Sequence, residues 1–118
     1  MELYTNTQYA QLLANGQQQQ TAMAKDEDFD PMPVIKLFTP DAGATWLLSE
    51  VDPCDPDIAF GLCDLGLGCP ELGNVSLTEI RAIRGRFNLP VERDLGFTPD
   101  KPLSAYAEEA RAHHQIIA

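Results

Sequence analysis

Four acidic residues near the middle of the chain have the type and spacing best suited to chemistry: Asp41, Glu50, Asp52 and Asp64. Many metal-dependent nucleases hold Mg²⁺ with a Pro-Asp pair at a strand end and an acid on the next strand, followed by a spacer and a lysine. Pro40-Asp41 and Glu50 fit this form, but Asp52 stands where the lysine would be. A metal-dependent hydrolase or nuclease using Asp41, Glu50 and Asp52 is therefore one alternative. The sequence favours the simpler interpretation, which is acids in a turn and at a strand edge.

The other reactive side chains do not form a pattern typical of an active site. Cys54, Cys63 and Cys69 include no CxxC pair, so we expect reduced, partly buried core thiols rather than a zinc site. His113 and His114 are adjacent near the C-terminus, where chains often fray. The chain has neither a GxGxxG motif nor a P-loop. The sequence therefore predicts no metal and no cofactor, leaves the catalytic residues unknown, and favours a protein that is not an enzyme.

The charge of the chain is strongly acidic and unevenly distributed. The 118 residues include 18 Asp and Glu against 8 Lys and Arg, which gives a net charge of -10. Residues 37–80 carry eight acids and no base. Such acidity disfavours direct nucleic-acid binding, because that binding depends on Lys and Arg neutralising phosphates. Two interpretations stay open: a solvated surface that keeps the protein soluble, or an acidic face that binds a basic protein partner through Asp41, Glu50, Asp52 and Asp64.

An anti-restriction type of DNA mimic is a further alternative for an acidic protein. Duplex DNA carries one charge per ~1.7 Å, so a mimic about 35 Å long needs on the order of 20 negative charges on one side. The net charge of -10 is half of that number. We therefore expect full mimicry only if the carboxylates are contiguous.

Four arginines form the only concentration of basic side chains: Arg81, Arg84, Arg86 and Arg93. They could form a small anion-binding patch or pair with Glu79, Glu92 and Asp94. We expect internal pairing, and arginines directed away from all carboxylates would favour nucleic-acid binding instead.

The elements that position these residues fit one domain over residues 1–118. Residues 1–30 are predicted to hold a helix at about 6–15, opened by a Thr5 to Gln8 capping box and ended by Asn15-Gly16. The Gln17–Gln20 run either extends this helix or begins a mobile link that continues into an acidic loop. No apolar run is long enough to span a membrane, and no signal core is evident, so we expect a cytoplasmic protein.

Residues 31–103 are predicted to form the α+β core, and residues 104–118 a C-terminal helix. The turns and hydrophobic patterns predict strands at 34–39, 45–51, 58–64, 71–75 and 91–97, with a capped helix beginning at Ser76. No gap between the first four strands holds a crossover helix, so they should form a meander. The fold class is therefore α+β: a small, mostly antiparallel sheet of four to five strands, with two to three helices packed outside it on one face.

Several short blocks, in this order, resemble a bacterial family catalogued as domain of unknown function DUF2958. The blocks are residues 34–41, 45–46, 60–66, 71–73, 76–79 and 89–94. The resemblance covers about residues 30–104 and carries over no catalytic residue. Its members often lie on plasmids, integrated elements and phages, which implies a cytoplasmic accessory protein of mobile DNA. The partner that we expect is another protein, and the sequence leaves the oligomeric state open.

Overall fold

The computed structural model describes residues 2–118, which form a five-stranded antiparallel sheet with three helices. The strands are β1 (Ile35–Phe38), β2 (Thr45–Asp52), β3 (Asp55–Asp64), β4 (Glu71–Ser76) and β5 (Glu92–Arg93). The helices are α1 (Asn6–Ala24), α2 (Leu77–Ala82) and α3 (Leu103–His113). The predicted α+β class is confirmed.

The sheet has the order β4-β3-β2-β1-β5, so the first four strands form the predicted meander and β5 adds at the far edge. Neighbouring strands pair in antiparallel fashion throughout. The β2–β3 ladder is irregular, because Leu48 pairs with Gly61 and Glu50 pairs with Phe60, which leaves Ser49 as an extra residue. This β-bulge changes the face to which the end of β2 directs its side chains.

Helix α1 begins as predicted but is longer than predicted. Thr5 and Gln8 form the reciprocal capping box, and the Tyr4 and Tyr9 rings lie 5.2 Å apart at the positions of a hydrophobic staple. The predicted stop at Gly16 is wrong, and the glutamine run is helical. Gly16 is instead the point of closest approach to the sheet, since a Cβ there would overlap the Val51 carbonyl oxygen.

Helices cover both faces of the sheet, whereas the sequence pattern predicted one. In a first cluster, on the α1 side of the sheet, Leu12 of α1 packs with Trp46 and Leu48 of β2. The cluster also includes Leu77 and Ile80 of α2. A second cluster lies on the opposite side of the sheet. There Leu47 of β2 and Leu62 of β3 pack against the apolar face of α3, which consists of Leu103, Tyr106, Ala107 and Ala110. Because strand side chains alternate, Leu47 and Leu48 belong to different clusters.

The predicted strand 91–97 is reduced to the two residues of β5. Val91 is buried in the first cluster, but the chain turns after Arg93. The Asp94 carboxylate accepts a hydrogen bond from the Gly96 amide at 2.9 Å, and this local bond replaces further pairing with β1. The alternating pattern was correct for the buried face but could not show where the turn begins.

Candidate binding cleft

A cleft of about 580 Å³ lies at the end of the sheet that carries the β2–β3 hairpin. Its walls come from the C-terminal half of α1, the segment 29–31, the paired strands β2 to β4 and the start of α3. Apolar side chains form much of its lining: Met23, Phe29, Val51, Ile58, Phe60, Leu72 and Leu103. A volume in this range suits a small ligand or a few side chains of a protein partner.

The floor of the cleft is a row of cross-strand neighbours on the α3 side of the sheet. Glu50 pairs with Phe60, and Phe60 pairs with Asn74, so the three side chains lie side by side across β2, β3 and β4. Under helix α3, Leu47 and Leu62 are fully buried, whereas Phe60 packs against the same cluster but is only partly buried. The cleft therefore lies over the part of the sheet that α3 covers incompletely.

Glu50 is the most unusual side chain in the cleft. Its carboxyl group is half-buried, and burial raises its pKa above the usual value, an effect that a hydrogen bond with Ser49 only partly offsets. It forms no ion pair with any residue that the structure describes. A buried carboxylate without a cation costs free energy, which a cationic ligand would recover.

Gln19, another residue of the cleft lining, has a buried acceptor that lacks a donor among the described residues. The Oε1 atom of Gln19 is buried and accepts no hydrogen bond within the described part of the chain. The other two acids of the lining are partly engaged, since Asp30 accepts hydrogen bonds from Ser104 and Asp52 accepts one from the Cys54 amide at 2.8 Å. Buried acceptors without donors are uncommon and require an explanation.

The cleft thus combines acidic hydrogen-bond acceptors with an apolar floor. Asp30, Glu50 and Asp52 line it, and its lining includes no Lys, Arg or His. A complementary ligand supplies hydrogen-bond donors, positive charge and apolar surface together. An arginine or lysine next to an aromatic or aliphatic side chain has this combination.

The structure divides the four acids that the sequence singled out. Glu50 and Asp52 line the cleft, whereas Asp41 and Asp64 lie at the opposite end of the sheet. Asp41 precedes β2 and Glu50 is near its end, so the strand separates them by about 15 Å or more. Metal ligands must lie within ~2.6 Å of one ion, so these carboxylates do not form the metal site that the hydrolase interpretation requires. The described residues contain no group of three or more potential ligands that could hold a metal ion.

Asp41 organises a loop rather than a ligand site. Its Oδ2 atom accepts hydrogen bonds from the Phe87 amide at 2.6 Å and the Leu89 amide at 3.3 Å. Its Oδ1 atom is buried and lies directly over Gly85, where a Cβ would overlap it. The carboxylate therefore fixes the turn between α2 and β5.

Replacement of Asp41 with alanine should destabilise the protein by about 1–3 kcal/mol, because two amides lose their acceptor. Urea unfolding measures the loss, and hydrogen exchange at the Phe87 and Leu89 amides should accelerate. Asp28→Ala, in an exposed loop, is the matched control and should change little. Equal stability of the two variants would contradict this role for Asp41.

Asp64 holds the C-terminal tail. It is 5% exposed and accepts hydrogen bonds from the Gly66 amide at 2.8 Å and the Ile116 amide at 3.0 Å. Its side chain is occupied by the fold and does not face the cleft.

The acids of residues 37–80 do not gather in one contiguous row. Asp52, Asp55 and Asp57 lie at the hairpin end of the sheet, and Asp64 and Glu71 at the other, about 30 Å away along β3. Between these groups, Glu50 is the only carboxylate in the described strands β2 to β4. This separation argues against the DNA mimic, which needs contiguous charge.

The expected internal pairing of the arginines is wrong for Arg81, Arg84 and Arg86. Arg81 donates to the Tyr4 hydroxyl at 3.0 Å and lies over the Tyr4 ring. Arg84 donates to backbone carbonyls. None of these three forms an ion pair with a described residue, whereas Lys36 pairs with Asp94 and Lys101 pairs with Glu109.

The cysteines are free, but only one has the expected partial burial. Cys54 and Cys69 are exposed, and Cys63 is intermediate. Burial, together with the nearby Glu71 charge, raises the pKa of the Cys63 thiol to about 11 from 9.0.

A thiol-reactive dye at mildly alkaline pH should therefore label Cys54 and Cys69 quickly and Cys63 slowly. The raised pKa lowers the thiolate fraction of Cys63 about 100-fold, and only the thiolate reacts. The time course should show two fast thiols and one slow one, with Cys63→Ser removing the slow phase. Three equal rates would contradict the burial of Cys63.

Sequence reasoning missed most of the cleft. Gln19 lies in a run that the sequence left open between a helix extension and a mobile link, and Phe29 lies in a segment interpreted as a charged loop. Phe60 and Asn74 lie in predicted strands, but nothing local showed that α3 would cover this part of the sheet incompletely. The one available signal was Glu50 inside an apolar strand.

The fold is that of a small α+β protein with a cleft on an incompletely covered sheet. A family model described as Protein of unknown function (DUF2958) matches residues 3–117, nearly the whole chain. The chain belongs to this family, and the resemblance inferred from the sequence blocks is confirmed. The comparisons with curated proteins and with solved structures gave no match. None of the helices in the described residues combines the length and apolarity needed to cross a membrane.

Proposed function

We propose that this protein is a non-enzymatic interaction protein whose cleft binds a basic and apolar segment of a protein partner. The observation that carries the proposal is the Glu50 carboxylate, half-buried above Phe60 with no cation beside it. The side chain of a bound arginine or lysine would supply the missing charge while its aliphatic stem covers the apolar floor.

The other polar groups of the cleft support the same class of ligand. Asp30 and Asp52, both exposed, add negative charge at the walls. A partner segment that carried acids would meet only like charge here, so the cleft discriminates by repulsion as well as attraction.

Fluorescence anisotropy with three short labelled peptides tests the proposal. One peptide combines Arg or Lys with Phe or Leu, the second combines the same cations with Ser, and the third combines Glu with Phe or Leu. We expect the first to bind most tightly, the second more weakly and the third not at all.

Glu50→Gln should weaken the first peptide about tenfold, and Glu71→Gln is its matched control. Glu71 is an exposed acid of the same sheet at the opposite end. Absence of binding by all peptides, or an equal effect of the two variants, would overturn the proposal.

The cellular setting is part of the same proposal. We place the protein in the cytoplasm as an accessory protein of bacterial mobile DNA. The exposed thiols of Cys54 and Cys69 support a reducing compartment. Capture of partners from a host that carries the parent element, with Glu50→Gln as the bait for comparison, would test the setting.

A further inference from the structure

The end of the sheet opposite the cleft carries exposed apolar side chains on adjoining loops. The Asp41 carboxylate binds the loop 84–90, and Gly66 lies against Gly43 of the same β1–β2 turn. We call these side chains the loop surface: Leu65, Leu67, Phe87 and Leu89, which are 60%, 79%, 73% and 44% exposed, together with Arg86. The shared β1–β2 turn brings the two loops to the same end of the sheet, and several exposed apolar groups at one end of a protein are typical of an interaction site.

The loop 84–90 presents its side chains from a fixed backbone. Besides the two bonds to Asp41, the Gly85 amide donates to the Leu89 carbonyl at 3.1 Å and the Asn88 amide donates to the Gly85 carbonyl at 3.0 Å. Arg84 and Pro90 close the turn with a β-bridge. A loop held in this manner loses little conformational entropy on binding, which favours recognition.

The loop surface and the cleft are complementary in chemistry. The loop offers the exposed aromatic ring of Phe87 beside Arg86, which pairs with no described carboxylate. The cleft offers Glu50, Asp30 and Asp52 above an apolar floor without a basic residue. The loop surface therefore carries the combination of a cation and an apolar group that would complement the cleft. It lies at the opposite end of the sheet, so it cannot contact the cleft of its own chain.

We infer that the loop surface of one copy binds in the cleft of a second copy, so that the chain associates head to tail. This inference rests on the proposed function and names its partner. Because the two surfaces differ and lie at opposite ends of the sheet, the contact is heterologous, and it continues into a ring or an open chain rather than stopping at a dimer. At physiological salt the Debye length is ≈ 8 Å, so the distant like charges of the copies are largely screened.

Sedimentation of the untagged full chain tests the inference. Small interfaces are weak, so the concentration should span about 10 μM to 1 mM. The weight-average mass should rise from the monomer value of 13.0 kDa as concentration increases. Phe87→Ala should remove this rise, and Glu50→Gln should weaken it about tenfold. Leu95→Ala is the control, since Leu95 is 72% exposed but lies outside both surfaces.

A mixture of variants gives the sharpest result. Phe87→Ala retains an intact cleft and Glu50→Gln retains an intact loop surface, so an equimolar mixture should form pairs, and extension beyond a pair should be about tenfold weaker than in the wild type. A monomeric wild type that still binds the basic and apolar peptide would overturn this inference and leave the proposed function standing. Association that survives Phe87→Ala would also overturn it. Failure of both the association and the peptide binding would overturn both.

Discussion

Replacement of Gly61 with alanine should destabilise the protein by about 3 kcal/mol, the upper end of the usual cost of overpacking and a large share of the stability of a small domain. Gly61 lies in β3 opposite Leu48, just before the β-bulge. A Cβ at this position would lie 2.8 Å from the Leu48 Cα and 2.9 Å from the Leu47 carbonyl carbon, and it would overlap the Leu47 carbonyl oxygen. All of these atoms are backbone, so no side-chain rotation can relieve the contact.

The adjacent strand supplies a matched control for this prediction. Gly73 of β4 pairs directly with Gly61, but a Cβ there meets no atom within 4 Å. Gly73→Ala should therefore be neutral or slightly stabilising, by a few tenths of a kcal/mol. Urea unfolding of the two variants measures the difference. Equal stabilities would contradict the close approach of β2 and β3 that positions the cleft floor.

Glu50→Gln should make the folded protein more stable at neutral pH while it weakens binding about tenfold. Burial raises the pKa of the Glu50 carboxyl in the folded state above its value of 4.5 in an unfolded chain. The folded state therefore binds a proton more readily, and the ionised carboxylate opposes folding at pH above its folded pKa. Removal of the charge removes this opposition.

The raised pKa of Glu50 determines how both the stability difference and the peptide affinity depend on pH. The stability advantage of Glu50→Gln over the wild type should shrink as pH falls through the folded pKa and disappear below 4.5. Peptide affinity of the wild type should fall over the same range, because the protonated carboxyl no longer attracts a cation. Thermal unfolding and anisotropy at matched pH values measure the two effects. A variant that is less stable than the wild type at pH 7 would show that Glu50 serves the fold rather than a ligand.

The sequence predicted the meander because its information is local. The Thr5 to Gln8 capping box, the turn at residues 40–43 and the β-branched strands each act within a few residues. The helix stop at Gly16 failed for a non-local reason. Gly16 permits α1 to approach the Val51 carbonyl, and Asn15 donates to the Ser49 carbonyl at 2.8 Å. Packing on the sheet therefore overrides two residues that end helices elsewhere.

The position of Glu50 shows why the cleft could not be predicted. Strict alternation along β2 directs Trp46, Leu48 and Glu50 to the same face, under α1. The extra residue Ser49 shifts the register, so Glu50 pairs with Phe60 and faces the α3 side. No local pattern marks this bulge, because Ser49 is held by contacts with Asn15 on another element. The single extra residue Ser49 thus moves Glu50 from the face that packs against α1 to the face that forms the cleft.

The most direct measurement is a titration of ¹⁵N-labelled protein with the basic and apolar peptide, followed by amide chemical shifts. Saturable shifts should concentrate at the cleft, in Gln19, Phe29, Glu50, Phe60 and Asn74, and Glu50→Gln should move the titration to about tenfold higher peptide concentration. Shifts confined to the loop surface, or no saturable shifts at all, would contradict a cleft that binds basic segments.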